Sequence, residues 1–151
     1  MKILALDLGI HCGWAYLDQM RLVYSGTWDL APASQRRWEG GGMRYVRFVD
    51  FLKKLPKPDR VAYEEVRRHK GVDAAHAYGG FQSALMSWCE AEEIPYEAYP
   101  VGVIKKHATG KGNANKEAMV QAARVKWRGI EVKDDNQADA LWLLDLVRSA
   151  I

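Results

Sequence analysis

Apolar and polar positions recur along this chain in two rhythms, one for strands and one for helices. Residues 2–7 (KILALD) are an almost unbroken apolar run closed by Asp7, as expected of a central strand covered on both faces. Gly9 and Gly13 predict a tight turn, and CGWAYLD and RLVYSGTWDL read as two more strands of an antiparallel meander. Pro32 and Ser34 open a helical region ending near Leu55. Within it Met43, Val46, Val49 and Leu52 recur at helical spacing, with Phe48 and Phe51 beside them. Gly40, Gly41 and Gly42 weaken its first half, because glycine is a poor helix former. Pro56 and Pro58 end it, and DRVAYEEV is a fourth strand, followed by the basic loop RRHKGVD. Residues 73–93 form an alanine-rich helix and PYEAYP a short fifth strand. VGVIKKHATGKGNANKEAMVQAARVKW is helix, glycine-rich loop, helix. Residues 135–149 make a terminal helix whose acidic first turn suits the positive helix N-terminus. The order βββαβαβαα predicts one α/β domain over residues 1–151, a five-stranded mixed sheet flanked by helices.

Composition changes this picture little. A chain of 151 residues that is 48% hydrophobic and 27% charged is neither disordered nor long enough to suggest two domains. No apolar run approaches the ~20 residues of a membrane span, and Asp7 cuts the N-terminal run too short for a signal peptide. Cys12 and Cys89 make no disulfide framework, so a reducing, cytoplasmic setting is expected.

Charge changes it more. The net charge is only +3, yet residues 36–70 hold eleven Lys/Arg against five Asp/Glu, and residues 101–133 hold eight against two. The remainder of the chain is acidic. Such segregation suggests basic surfaces facing a polyanion, with a separate cluster of carboxylates.

The carboxylates stand where apolar strands end. Asp7 finishes the first strand, and Glu64 with Glu65 finishes the fourth. In an open α/β sheet, reactive groups gather at strand ends near the point where strand order reverses. A desolvated carboxylate there needs a cation or donors. At the start of the last helix Asp139 lies three residues after Asn136 and four after Asp135, so it can share a face with Asn136, Asp135 or both. An all-oxygen set favours Mg2+ or Mn2+ over zinc. Two such ions about 4 Å apart can activate water and stabilise the leaving oxygen of a phosphodiester. The loop TGKGNANK offers backbone amides and lysines as a phosphate cradle, with Asn113 or Asn115 as a helix N-cap.

LALDLGIHCGWAY, VAYEEV, VIKKHATGKGNANKEAMVQAA and DDNQADALWLL resemble the four sequence blocks of RuvC-type Holliday junction resolvases, in order and spanning nearly the whole chain. The glycine turn is most similar to that of the bacteriophage and prophage branch. The resemblance implies an RNase H-like fold and a homodimer that nicks two strands of a four-way junction, with two divalent ions, Mg2+ or Mn2+, per active site. It implies that Asp7 bridges the ions, that Glu64 ligates one and that Asp139 completes the acidic set. Lys105 would lie near the scissile phosphate, and Lys116 would contact DNA backbone or position the nucleophile.

Two departures stand out. The fourth ligand position, three residues before Asp139, is Asn136, with Asp135 one residue further back; register favours Asn136. Arg67 occupies the place of an aromatic that wedges into the junction centre. Glu65 falls where the family carries an uncharged residue and has no expected metal role. Arg67, Arg68, Lys70, Lys105, Lys111 and Lys116 are the expected DNA contacts. Branched DNA such as flaps and forks is the alternative substrate, and junction binding without cleavage the alternative activity. No nucleotide cofactor is expected: the D-L-G-x-x-x-G turn also resembles an actin-like phosphate hairpin, but that fold needs far more chain.

Among the remaining residues, Gly79 and Gly80 inside the helix 73–93 suggest a close helix approach, either in a dimer or within the chain. The tryptophans are expected in the core or an interface, with Trp38 placed to stack on a base. His107 is expected to pack, His69 and His76 to flank the basic loop, and His11 to lie in the turn after Asp7.

Overall fold

Short strands with two-sided apolar patterning need helices on both faces, and the chain supplies them. The computed structural model describes residues 1–32 and 40–151. In chain order its elements are β1 (Ile3–Asp7), β2 (His11–Leu17), β3 (Val23–Asp29), α1 (Met43–Lys54), β4 (Arg60–Glu65), α2 (Val72–Ala91), β5 (Tyr96–Pro100), α3 (Val101–Thr109), α4 (Lys116–Lys126) and α5 (Asp135–Ser149). The sheet order is β3-β2-β1-β4-β5. β1 pairs antiparallel with β2 and β2 with β3, whereas β4 runs parallel to both β1 and β5. This is the expected mixed sheet of five strands, with the strand order reversing direction between β1 and β4.

Alternation along β1 divides the core in two. Ile3 and Ala5 face one side, where Ile104 of α3, Met119 and Ala123 of α4, and Leu141 and Leu144 of α5 cover them. Leu4 and Leu6 face the other, against Phe48 and Leu52 of α1 and Phe81 and Leu85 of α2. Ala5, Ala15 and Ala62 line the first face as a row of small side chains, which lets α5 lie close to the sheet. The cysteines are free and buried, and no described helix is long and apolar enough to cross a membrane.

The helix ends follow from local chemistry. Asp134 caps α5 by accepting from the Gln137 amide at 2.8 Å, and Asn115 caps α4 by accepting from the Ala118 amide at 2.9 Å. Gly110 ends α3 at φ +83°, a left-handed conformation that glycine adopts without penalty, with its amide on the Lys106 carbonyl.

Three expectations change. α1 begins at Met43, after a turn at Gly41 and Gly42; the stretch expected to open it, with Trp38, falls in residues 33–39, outside the described residues. The buried stripe of α1 is also rotated: Phe48 and Leu52 are buried, whereas Val46 is 50% exposed. Aromatic packing selects that face, since Phe51 stacks on Trp28 at 4.9 Å while Tyr45 and Phe48 meet Phe81 edge-on. Thirdly, Gly13 lies inside β2, opposite Asp7, and not in the turn.

The glycine pair in α2 separates into two cases. A Cβ on Gly80 would run into the Tyr45 ring, so this glycine serves packing of α1 on α2 within the chain; a Cβ on Gly79 would meet open space. Gly79→Ala is therefore expected to stabilise the protein by up to about 1 kcal/mol through helix propensity. Gly80→Ala is expected to cost about 1–3 kcal/mol from overpacking. Urea melts of the two variants should move in opposite directions.

Candidate active site

The site is built from one row of residues running across the sheet. Asp7 of β1 pairs with Gly13 of β2, and Gly13 pairs with Thr27 of β3. On the other side β1 and β4 are in register at Leu6 and Tyr63, so Asp7 and Glu64 come next on neighbouring strands. Ile3 and Ala5 face α5, and so does Asp7 by the two-residue period of a strand; Ala62 and Glu64 do the same. Glu65 consequently turns to the opposite face, where it accepts from Arg67 Nε at 3.2 Å. That alternation explains why only one of the two glutamates joins the site.

Helix α5 crosses above this row and contributes Asp139. One carboxylate oxygen from each of Asp7, Glu64 and Asp139 lies within 4.8 Å of the others, and all three residues are half-buried. Among the described residues none of the three is ion-paired. Desolvation pushes the Asp7 carboxyl well above its ordinary range, helped by Glu64 and Asp139. Burial also raises Glu64, against the pull of a hydrogen bond from Asp7 and of the Lys105 ammonium. Asp139 is raised to about 7 by burial and then by repulsion from Glu64 and Asp135, with Lys105 and Lys116 opposing. Three crowded hard oxygens with too little positive charge around them are the donor chemistry of a hard divalent cation.

Asp7 opens onto a cavity of about 440 Å³ that Asp135, Asn136, Lys116, His11 and His69 also line. Asp135 stays outside the three-carboxylate cluster, with its Oδ2 3.7 Å from Lys116 Nζ. Lys105 of α3 is half-buried and acts on Glu64 and Asp139; Lys111 is exposed in the glycine-rich loop before α4. Arg67, Arg68 and Lys70 are exposed on the loop after β4, and Arg67 and Arg68 line a second cavity beside the start of α3.

The other candidates fall to packing. His107 Nε2 lies 2.8 Å from Asp145 Oδ2, in a network with Lys126 and Arg148. Despite burial, the bonds from His107, Arg148 and Lys126 hold the Asp145 carboxyl below the usual range. His76 is exposed, and His69 lies 5.1 Å from the Tyr78 ring. Trp28 and Trp142 are buried; Trp14 stacks on Trp28 at 5.6 Å, and Trp127 meets Trp142 edge-on.

Two supporting side chains escaped sequence reading. The Tyr78 hydroxyl donates to the Glu64 carbonyl at 2.8 Å and accepts from the Val66 amide, fixing the end of β4. Gln137, 4% exposed, bonds Ser25 Oγ, the Glu131 carbonyl and the Lys133 amide. Its signal was present: Gln137, Leu141 and Leu144 share a helical face, so an amide there had to be buried and bonded.

The sequence matches no family model. It does match curated relatives along nearly its whole length. The crossover junction endodeoxyribonuclease RuvC of Dehalococcoides mccartyi is 32% identical, over 93% of this chain and 87% of that protein. The RuvC of Halorhodospira halophila is 30% identical over 93% and 85%. Among solved structures, Thermus thermophilus RuvC in complex with a Holliday junction substrate superposes with a TM-score of 0.71 at 22% identity, covering 95% of this chain and 90% of that one. The yeast mitochondrial Holliday junction resolvase Ydc2 gives 0.64 at 16% identity, over 93% and 75%. These structures share the RNase H-like fold expected from the sequence. With identities of 30% and 32% over 93% of its length, the chain belongs to the RuvC family of crossover junction endodeoxyribonucleases.

Proposed function

We propose that this protein is a homodimeric, cytoplasmic endonuclease, one nuclease domain per chain, that resolves Holliday junctions by paired symmetric nicks. The observation that carries this reading is the cluster of Asp7, Glu64 and Asp139 at the strand-order switch of a RuvC-family sheet, beside Lys105 and Lys116. Asp7, Glu64, Asn136 and Asp139 would hold two Mg2+ or Mn2+ ions, which would supply Lewis-acid charge for phosphodiester hydrolysis.

The chain's own residues do the rest. Asp7, crowded by both Glu64 and Asp139, would be the ligand shared between the ions, with Glu64 and Asp139 completing the set. Asn136 adds a neutral oxygen. Asp135 is the weaker candidate, because it is drawn to Lys116 and lies outside the cluster. Lys105 and Lys116 offset the carboxylate charge that would otherwise repel a phosphate. Arg67, Arg68, Lys70 and Lys111, all exposed, hold the DNA arms; Arg67 brings a cation to the junction centre in place of an aromatic wedge. Two matched sites in a two-fold dimer suit two symmetric nicks, and α2, with Gly79 open, is the candidate interface helix. The likeness of the glycine turn to that of the bacteriophage and prophage branch supports a phage or prophage lineage.

The test is cleavage of a synthetic four-way junction beside linear duplex, Y-fork and flap DNA, with nick mapping in Mg2+ and in Mn2+. Paired nicks in the junction alone support the resolvase reading. Similar rates on forks and flaps would make it a debranching nuclease, and binding without cleavage in either metal would remove the enzyme assignment. In the same assay Asn136→Ala is expected to lower the rate about 10- to 100-fold, as loss of a metal-site partner does. Asp135→Ala should stay near wild type. Loss confined to Asp135→Ala would reverse the ligand assignment.

A further inference from the structure

The row of residues that holds Asp7 and Glu64 continues, without carboxylates, onto β2 and β3, and α5 is laid along all of it. Thr27 Oγ1 donates to Asp134 Oδ1 at 2.7 Å. Asp134 is the residue that caps α5, through the same oxygen. Gly13, paired with Thr27, lies beneath Asn136: a Cβ there would collide with the Asn136 carbonyl. Beyond Gly13 the row reaches Asp7, over which α5 brings Asp139. Two residue pairs further along the hairpin, Ser25 accepts from Gln137, in the first turn of the helix. The first turn of α5 is therefore gripped by a hairpin that carries none of the three clustered carboxylates.

We propose that Thr27 and Gly13 are positioning residues for the cation site: they fix the height and register of α5 over the sheet, and with them the reach of Asn136 and Asp139 toward Asp7. This rests on the metal-dependent reading above. The argument is geometric. Asp139 is one turn from the cap, so α5 tilts about its N-terminus if the cap is released. A carboxylate displaced by about an ångström no longer shares a cation with Asp7 and Glu64. Thr27 bonds Asp134 and none of Asp7, Glu64 and Asp139, so it acts on the cluster through Asp134.

The experiment measures Mn2+ binding to metal-stripped protein by the free-ion paramagnetic resonance signal, alongside melting in EDTA and junction cleavage. Thr27→Val keeps the shape and removes the donor. It is expected to weaken Mn2+ binding about 10-fold, within the range for partners that orient metal ligands. Melting in EDTA should stay within a few degrees of wild type. Thr27→Ser, which restores the hydroxyl, should restore binding. Gly13→Ala should weaken Mn2+ binding further, since it lifts the helix itself. Wild-type Mn2+ affinity in Thr27→Val would overturn the proposal, and so would a loss in Thr27→Ser as large as in the valine variant. A wild-type chain that binds Mn2+ without cutting junctions would sink the resolvase reading and leave this inference standing. A wild-type chain that binds no Mn2+ would sink both.

Discussion

Asp7→Asn should abolish junction cleavage while leaving junction binding within about twofold of wild type. The substitution keeps the volume and one oxygen but removes the charge that Glu64 and Asp139 both face. A divalent cation at such a site contributes several kcal/mol of transition-state charge stabilisation, so a loss of at least ~10³ in rate is expected. Binding should survive because the exposed cations Arg67, Arg68, Lys70 and Lys111 are separate from the carboxylates. The same variant should melt at a higher temperature than wild type in EDTA at neutral pH, because it deletes one of three crowded, desolvated acids. Cleavage by Asp7→Asn near the wild-type rate would remove the cation site from the mechanism. A drop in melting temperature would mean that Asp7 holds structure instead.

How much of this was legible in sequence depends on which physical rule governed each residue. Apolar runs ending in Asp7 and Glu64 made both carboxylates legible as strand ends, whereas Glu65 was set aside only through the family resemblance; in the fold, the rigid two-residue period of a strand is what turns it away. The last helix was legible to the residue, because an acidic first turn precedes a mostly apolar stretch. Helical spacing is a looser guide. In α1 two overlapping stripes have nearly the same period, and only the aromatic partners Trp28 and Phe81, distant in sequence, decide between them. Glycines were legible in part: a close helix approach at Gly80 was readable, its partner was not, and the role of Gly13 was hidden. Gly13 and Gly80 are small because the Asn136 backbone and the Tyr45 ring occupy the space, and neither neighbour is near in the chain. The support around the site failed for the same reason: Thr27 reaches across 107 positions to Asp134, and Gln137 across 112 to Ser25. What a residue does alone can be read from its type and spacing; what it does as a neighbour needs the fold.

Metal-free protein should lose stability as pH rises through neutrality, and Mg2+ should restore it. The carboxyls of Asp7, Glu64 and Asp139 are all raised in the folded chain, Asp139 to about 7, because ionising them in the cluster means desolvation and mutual repulsion. Unfolded carboxyls ionise near 4, so between about pH 4 and 7 the folded state holds protons that the unfolded state has released. The contribution of these groups is thus fully present below pH 4 and is lost as pH climbs through the folded values. On the order of 2–4 kcal/mol is expected to disappear by pH 8. For a chain of this length that is a fall of about 5–15 °C in melting temperature. Asp145 does not blur the window: its carboxyl is held below the usual range, so its contribution is lost only on acidification. A hard cation binds the ionised form, so added Mg2+ should raise the melting temperature more at pH 8 than at pH 5.5. Asp139→Asn should flatten both dependences together. Melting curves in EDTA and in Mg2+ across this range check the account. A metal-free protein that is steadiest at pH 8, or an Mg2+ effect of equal size at both ends, would mean that the three carboxylates are already neutralised within the chain.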